Sequence, residues 1–109
     1  MSEHVIEISK NGHDSTTPLV LLWFSARWCG PCQAMAPVLE LVEEVYSDTM
    51  TVIKVDADQQ QTLVKEFGIR AVPSFVLLAR GGIIDARSGA TGYKDLSQWL
   101  DHHLSNTPD

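Results

Sequence analysis

Cys29 and Cys32 are the two cysteines of this 109-residue chain, and Gly30 and Pro31 separate them. A pair with this spacing can contribute half of a metal site, form a structural crosslink or exchange with other disulfides. One helical turn would bring the two sulfur atoms together. The sequence on either side of the pair therefore has to show whether such a turn is present.

A nearly continuous apolar run, Pro18 to Ala26, precedes the pair, and apolar residues recur at helical spacing from Pro31 to Tyr46. These patterns predict a buried strand followed by an amphipathic helix, with the cysteines at the turn between them. The unpaired N–H groups and the dipole of a first helical turn stabilise a thiolate at Cys29. Thiolate is the form that attacks a disulfide, and Cys32 can then resolve the mixed disulfide.

A metal site is the weaker interpretation of this pair. Structural zinc usually has four nitrogen or sulfur ligands, and the chain has no second cysteine pair. The four histidines lie near the ends of the chain, and we expect His102 and His103 to be solvated residues near a helix terminus. We therefore expect neither a metal nor another cofactor.

Composition limits the partners. The formal net charge of -6 disfavours nucleic acid and anionic membranes, which attract basic surfaces. No run approaches the roughly 18–20 apolar residues of a membrane span, and the polar first 17 residues do not resemble a secretory signal. We expect a cytoplasmic monomer with a single domain over residues 1–109, frayed at 1–3 and 105–109. In the cytoplasm, a cysteine pair is more often catalytic or metal-binding than a structural crosslink.

The remaining patterns predict the element order β, β, α, β, α, β, β, α. Asp58 is a candidate N-cap for the short second helix, and glycines at 81 and 82 permit a tight turn between the last two strands. This order indicates an α/β fold, a sheet with helices on both faces and a terminal antiparallel pair. The predicted strands are Val5–Ile8, 18–26, 50–57, 74–79 and 83–90, and the last helix spans about 93–104.

The segment "WCGPC" resembles the active-site signature of the thioredoxin family, and the similarity extends over nearly the whole chain. Pro37 is similar to the proline that kinks the family's active-site helix. "GIRAVP" resembles the family segment with a cis proline, which implies a cis Val72–Pro73 bond. Gly82 and Gly89 resemble the glycines in and after the last hairpin. The resemblance implies the thioredoxin fold, with a central mixed five-stranded sheet flanked by helices on both faces.

By this resemblance the chain is a thiol–disulfide oxidoreductase acting on protein substrates. Cys29 would be the nucleophile and Cys32 the resolving cysteine, with their disulfide as the redox centre and a thioredoxin-reductase-like protein as electron donor. Arg27 would either add positive charge at the rim of the substrate surface or only make its loop more soluble. That surface would comprise Trp28, Gly30, Pro31, Val72, Pro73 and Gly89.

The chain also departs from the family pattern. Thioredoxins typically carry a buried aspartate six residues before the first cysteine, to which the resemblance assigns proton transfer, and Trp23 occupies that position. Lys54 matches the lysine that accompanies this aspartate. An unpaired buried charge is costly, so we expect Asp56, two residues along the same strand face, to be its partner. The loss of the aspartate leaves open an alternative, a binding or chaperone-like module with slow or vestigial redox activity.

Overall fold

The computed structural model describes residues 17–79 and 82–106. The predicted strand Val5–Ile8, the centre of the last hairpin turn and both ends of the chain lie outside this part. Within it, the strands are β1 (Leu19–Ser25), β2 (Met50–Asp56), β3 (Ser74–Ala79) and β4 (Gly82–Ser88). The helices are α1 (Gly30–Ala34), α2 (Ala36–Val45), α3 (Gln61–Glu66) and α4 (Tyr93–Asn106).

The described strands form a mixed sheet in the order β2-β1-β3-β4. β1 runs parallel to β2 and antiparallel to β3, and β4 completes the predicted antiparallel pair with β3. The register between β3 and β4 shifts between Leu77 and Leu78. β1 therefore has a hydrogen-bonded neighbour on each side.

Both faces of β1 are buried, as its nearly continuous apolar sequence predicts. Leu19, Leu21 and Trp23 pack in one cluster with the buried residues of α2 and α4. Leu22 and Phe24 point to the opposite face and pack with Leu63 of α3. The predicted arrangement of helices on both faces of the sheet is confirmed.

The helix that follows the cysteines is interrupted at Met35, between α1 and α2. Proline has no backbone N–H, and its ring clashes with the carbonyl four residues earlier, so a continuous helix through Pro37 is disfavoured. The N–H of Met35 instead donates to the carbonyls of Cys32 and Gln33. The break expected from Pro37 is therefore present. At the other end of the chain, α4 continues to Asn106, two residues beyond the predicted end.

Candidate active site

Cys29 and Cys32 form a disulfide at the start of α1, with their Cα atoms 5.2 Å apart. Cys29 is the N-cap of the helix and has an extended backbone, while Pro31 occupies the first turn. The backbone N–H of Cys32 donates to Cys29 Sγ over 3.1 Å. An N–H group directed at this sulfur stabilises negative charge on it, so the loop favours a Cys29 thiolate.

The two sulfurs differ in exposure less than the sequence suggests. The sequence places Cys29 at the start of a helix and Cys32 one turn into a helix that packs on the sheet, which predicts an accessible Cys29 and a buried Cys32. Cys32 is fully buried, but Cys29 is only 5% exposed, so the prediction for Cys29 is wrong for this disulfide-bonded structure. Val72 packs against the cluster formed by Ala26, Cys29 and Cys32, and its carbonyl oxygen lies 3.7 Å from Cys29 Sγ. The cover over Cys29 thus comes from the loop before β3, which the local sequence around the cysteines does not reveal.

The Val72–Pro73 bond is cis, as the resemblance implies. The Pro73 carbonyl accepts a hydrogen bond from the N–H of Gly89 over 2.9 Å, which ties this loop to the end of β4. Gly89 has φ +100°, a backbone conformation that favours glycine. Gly30 and Pro31 are exposed beside the disulfide. The structure thus brings Val72 to the cysteines and joins Gly89 to the same loop.

Trp28 is the most exposed large apolar side chain of the described residues, at 69%. Its indole N–H donates to Asp58 Oδ2 over 2.9 Å. The prediction that Asp58 is an N-cap is wrong, because α3 begins after Gln60 without a side-chain cap. Asp58 instead holds Trp28 beside an open groove of about 350 Å³. The groove is lined by Trp28, Ala57, Asp58, Gln61, Val64, Lys65, Ile69, Arg70, Ala71 and Val72.

Trp23 occupies the position of the family's buried aspartate and is 5% exposed. Lys54 is exposed, and its ammonium group lies over the Trp23 ring, 5.1 Å from the centroid. The expected pairing of Lys54 with Asp56 is wrong, because Asp56 Oδ1 accepts hydrogen bonds from the N–H groups of Asp58 and Gln59. A cation–π contact thus replaces the ion pair.

Sequence reasoning missed two groups near the disulfide. Ser25, at the end of β1, is 1% exposed, and its Oγ has no hydrogen-bond partner among the described residues. Strand alternation places Ser25 on the same face of the sheet as Trp23, and this two-residue alternation is the feature of the sequence that could have identified it. Gln33 Nε2 donates to the carbonyl of Ala26 over 3.0 Å and closes the loop. Arg27 is exposed in that loop.

Two further findings concern the described residues as a set. None of the helices in this part of the chain combines the length and apolar character needed to cross a membrane. Across 17–79 and 82–106, no three histidine, cysteine or acidic side chains are grouped so as to hold a metal ion.

Comparison with known proteins finds relatives over most of the chain. The thioredoxin family profile covers residues 5–102. Thioredoxin 1 of Synechococcus elongatus is 37% identical over 91 residues, which cover 84% of each chain. The germline-specific thioredoxin Deadhead of Drosophila melanogaster has a TM-score of 0.81 at 26% identity, covering 90% of this chain and 92% of its own. Mitochondrial thioredoxin 3 of Saccharomyces cerevisiae has a TM-score of 0.78 at 28% identity, covering 90% and 89%.

These similarities decide between the two functions that the sequence left open. They extend well beyond the "WCGPC" segment, over the sheet and the helices that hold it. The bonded cysteine pair lies where that fold has its redox centre, and the comparisons favour thiol chemistry over a binding module without it. With the geometry and the relatives in agreement, the chain belongs to the thioredoxin family and is a thiol–disulfide oxidoreductase.

Proposed function

We propose that this protein reduces protein disulfides, with Cys29 as the nucleophile and Cys32 as the resolving cysteine. The observation that carries this assignment is the 3.1 Å hydrogen bond from the Cys32 N–H to Cys29 Sγ. It favours charge on Cys29, whereas complete burial of Cys32 disfavours charge on that sulfur. The asymmetry supports attack by Cys29 first.

In the reduced protein, the Cys29 thiolate attacks one sulfur of a substrate disulfide. A Cys29–substrate disulfide forms and the first substrate thiolate leaves. Cys32 then loses its proton and attacks Cys29 Sγ, which forms the Cys29–Cys32 disulfide and releases the second substrate sulfur. Two electrons pass from the cysteine pair to the substrate, and a reductase must return them.

An extended substrate segment would bind beside the cis Val72–Pro73 bond. Val72 lies outside the β3 ladder, so its backbone groups can pair with an added strand, a local form of β-augmentation. The exposed Trp28 and Pro31 would supply apolar contact. The groove bordered by Trp28 and Arg70 would accept the residues that follow.

The electron donor, the oligomeric state and the location belong to the same proposal. A thioredoxin-reductase-like protein would return the electrons, and the chain would act as a monomer. The cytoplasm is the expected compartment, because its thiol pool keeps such a pair reduced. Sedimentation of the purified protein, a coupled NADPH assay with thioredoxin reductase and cell fractionation test the three statements separately.

The assignment of the two cysteines can be tested by insulin reduction with dithiothreitol as the donor. Cys29→Ser should abolish catalysis, and Cys32→Ser should trap a mixed disulfide that mass spectrometry locates at Cys29. In the reduced wild type, alkylation near neutral pH should label Cys29 first. Labelling of Cys32 before Cys29 would reverse the two roles.

A further inference from the structure

Two buried polar atoms on β1 have no hydrogen-bond partner among the described residues: Trp23 Nε1 and Ser25 Oγ. Their residues are 5% and 1% exposed. Leaving such a group unpaired costs about 1–3 kcal/mol, and nearly all buried polar groups are paired with protein or ordered water. An indole N–H can only donate, whereas a hydroxyl both donates and accepts. The two groups therefore call for a ligand with lone pairs.

These atoms lie on the face of β1 that carries the active-site helix. Strand alternation directs Trp23 and Ser25 to the same side of the sheet. Met35, one turn after Cys32, packs in the cluster that contains Trp23, and Ala26, next to Ser25, packs against Cys32. Because the helix returns along the strand that precedes it, its first turn lies over the end of β1. Cys32 and Ser25 thus occupy the same end of the strand–helix pair.

No carboxylate replaces the missing aspartate on this face. Lys54 lies over the Trp23 ring from β2, and Asp56 accepts two backbone hydrogen bonds at the following turn. The residues of α2 and α4 that pack in the Trp23 cluster are apolar, apart from the phenol of Tyr93 and the indole N–H of Trp99. Asp85 and Arg87 of β4 pair with β3 residues of this cluster, and both contact the Trp99 indole. The charged groups nearest to this face are therefore engaged elsewhere.

We propose that Trp23 and Ser25 hold a buried water that relays the proton of the Cys32 thiol during resolution, which rests on the proposed order of thiol attack. Cys32 Sγ gives its proton to the water as it attacks Cys29 Sγ. The water passes a proton on, through the Ser25 hydroxyl, to the departing substrate thiolate. The Cys29–substrate bond breaks, the Cys29–Cys32 bond forms and the water is regenerated. Trp23 and Ser25 are positioning residues in this step.

The proposed water would have the hydrogen-bond partners that a buried water needs. A water of this kind typically makes about three hydrogen bonds to buried polar groups. Here it would accept from the Trp23 N–H and exchange hydrogen bonds with the Ser25 hydroxyl and the Cys32 thiol. Because the proton moves between two sulfurs of similar basicity, the relay leaves no charge buried beneath the helix.

Reaction of the reduced protein with excess cystamine, stopped by rapid acid quenching and followed by mass spectrometry, separates the two steps. The Cys29–substrate disulfide forms when Cys29 attacks, and the Cys29–Cys32 disulfide forms when Cys32 resolves and an alkyl thiolate departs. Positioned proton-transfer groups typically contribute 10²–10⁴-fold, and a neutral relay should contribute less. We expect Ser25→Ala to slow the second step about 10-fold at neutral pH, leave the first step unchanged, and shift the second-phase pH profile to higher pH. Equal second-phase rates in Ser25→Ala and the wild type would overturn the proposal.

Three further variants separate a relay from loss of packing. Ser25→Thr keeps the hydroxyl and should retain most of the second-phase rate. Trp23→Phe removes the indole N–H. The double variant with Ser25→Ala should resolve no more slowly than Ser25→Ala alone, because both side chains act through one water. Thr17→Val removes a buried hydroxyl at the far end of the β1–β2 pair and should leave both phases unchanged. Additive slowing in the double variant would contradict a shared water. A missing first phase would instead contradict the assignment of Cys29.

Discussion

The ammonium group of Lys54 lies 5.1 Å from the centroid of the Trp23 indole, across the parallel β1–β2 pair in which the two residues are register partners. The lysine that accompanies a buried carboxylate in the family is therefore matched to an aromatic face in this protein. Such a contact at an exposed site stabilises a fold by about 0.5–1 kcal/mol. It satisfies the charge of Lys54, but the indole offers no acceptor for a thiol proton.

Restoring the carboxylate should accelerate resolution. Trp23→Asp places an acceptor under the active-site helix and gives it Lys54 as cross-strand partner. We expect faster insulin reduction at neutral pH than in the wild type. The rate should also increase less than in the wild type when the pH is raised. The change should also lower the free energy of unfolding by about 3–5 kcal/mol through lost packing.

Trp23→Asn is the matched control, since it leaves a cavity of the same size without the charge. Urea denaturation should first show that both variants are folded. A folded aspartate variant with the same rate and pH profile as the asparagine variant would show that a carboxylate at position 23 does not assist resolution.

Removing the acceptor of the Trp28 indole should weaken substrate binding. Without the 2.9 Å hydrogen bond to Asp58, the indole must be ordered by the substrate, and ordering a side chain costs about 0.5–1.5 kcal/mol. We expect Asp58→Ala to raise KM for insulin about 2–10-fold. Its reaction with a small aromatic disulfide should be unchanged.

Asp48→Ala removes a carboxylate of the same charge from the exposed turn after α2 and serves as the control. If the two variants raise KM equally, net charge rather than the position of Trp28 is responsible.

The junction between β4 and α4 should be sensitive to acid. Asp85 Oδ2 accepts a hydrogen bond from the Trp99 Nε1–H group over 2.9 Å and lies 2.8 Å from His103 Nε2. The pKa of Asp85 is lowered below its ordinary 3.8, mainly by the hydrogen bond from Trp99. The Ala86 N–H and the contact with His103 lower it further, whereas burial acts in the opposite direction.

Because the folded-state pKa is lower than the unfolded one, the stabilisation is complete above pH 3.8 and is lost as the pH falls through the folded value. The Asp85 side chain is 43% exposed, so solvent screening limits the expected contribution to about 0.5–1 kcal/mol. Urea midpoints of the wild type and Asp85→Asn should differ at pH 7, and the difference should shrink as the pH falls below 3.8. A constant difference would show that the charge of Asp85 contributes nothing.

The Tyr46 hydroxyl should stabilise the packing of α2 against α4. It donates to Asp101 Oδ1 over 2.7 Å and lies 3.3 Å from the Ser97 carbonyl. Burial, with the neighbouring Asp101 carboxylate, raises the pKa of Tyr46 well above its usual range, so the phenol stays protonated. Tyr46→Phe should lower the free energy of unfolding by about 1 kcal/mol, measured by urea denaturation, without changing insulin reduction.

Tyr93→Phe offers a control at the start of α4, where the ring packs at the edge of the same cluster. A loss of stability there equal to that at Tyr46 would mean that the measured effect is not specific to the Asp101 hydrogen bond.

The main features of the fold were predictable because they depend on local patterns. The apolar run of β1, the helical spacing after Pro31 and the glycines before β4 each indicate one element. The residue-level errors concern contacts between distant segments. Asp58 has the chemistry of an N-cap, but Trp28, thirty residues away, is its partner. Strand alternation predicts that Lys54 lies on the same face of the sheet as Trp23. The exposure of the Lys54 side chain, however, depends on which residues cover β2. The cover over Cys29 comes from Val72, which no pattern near the cysteines reveals.

The central position of β1 also sets the order in which parts of the molecule exchange their amide protons with deuterium. Its hydrogen bonds on both sides and its two covered faces place it in the most protected class, which exchanges only when the whole fold opens. The loop from 69 to 73 has few such bonds and should exchange through small local openings. The disulfide is thus anchored to the strand that opens last, and it faces a loop that can move each time a substrate enters or leaves.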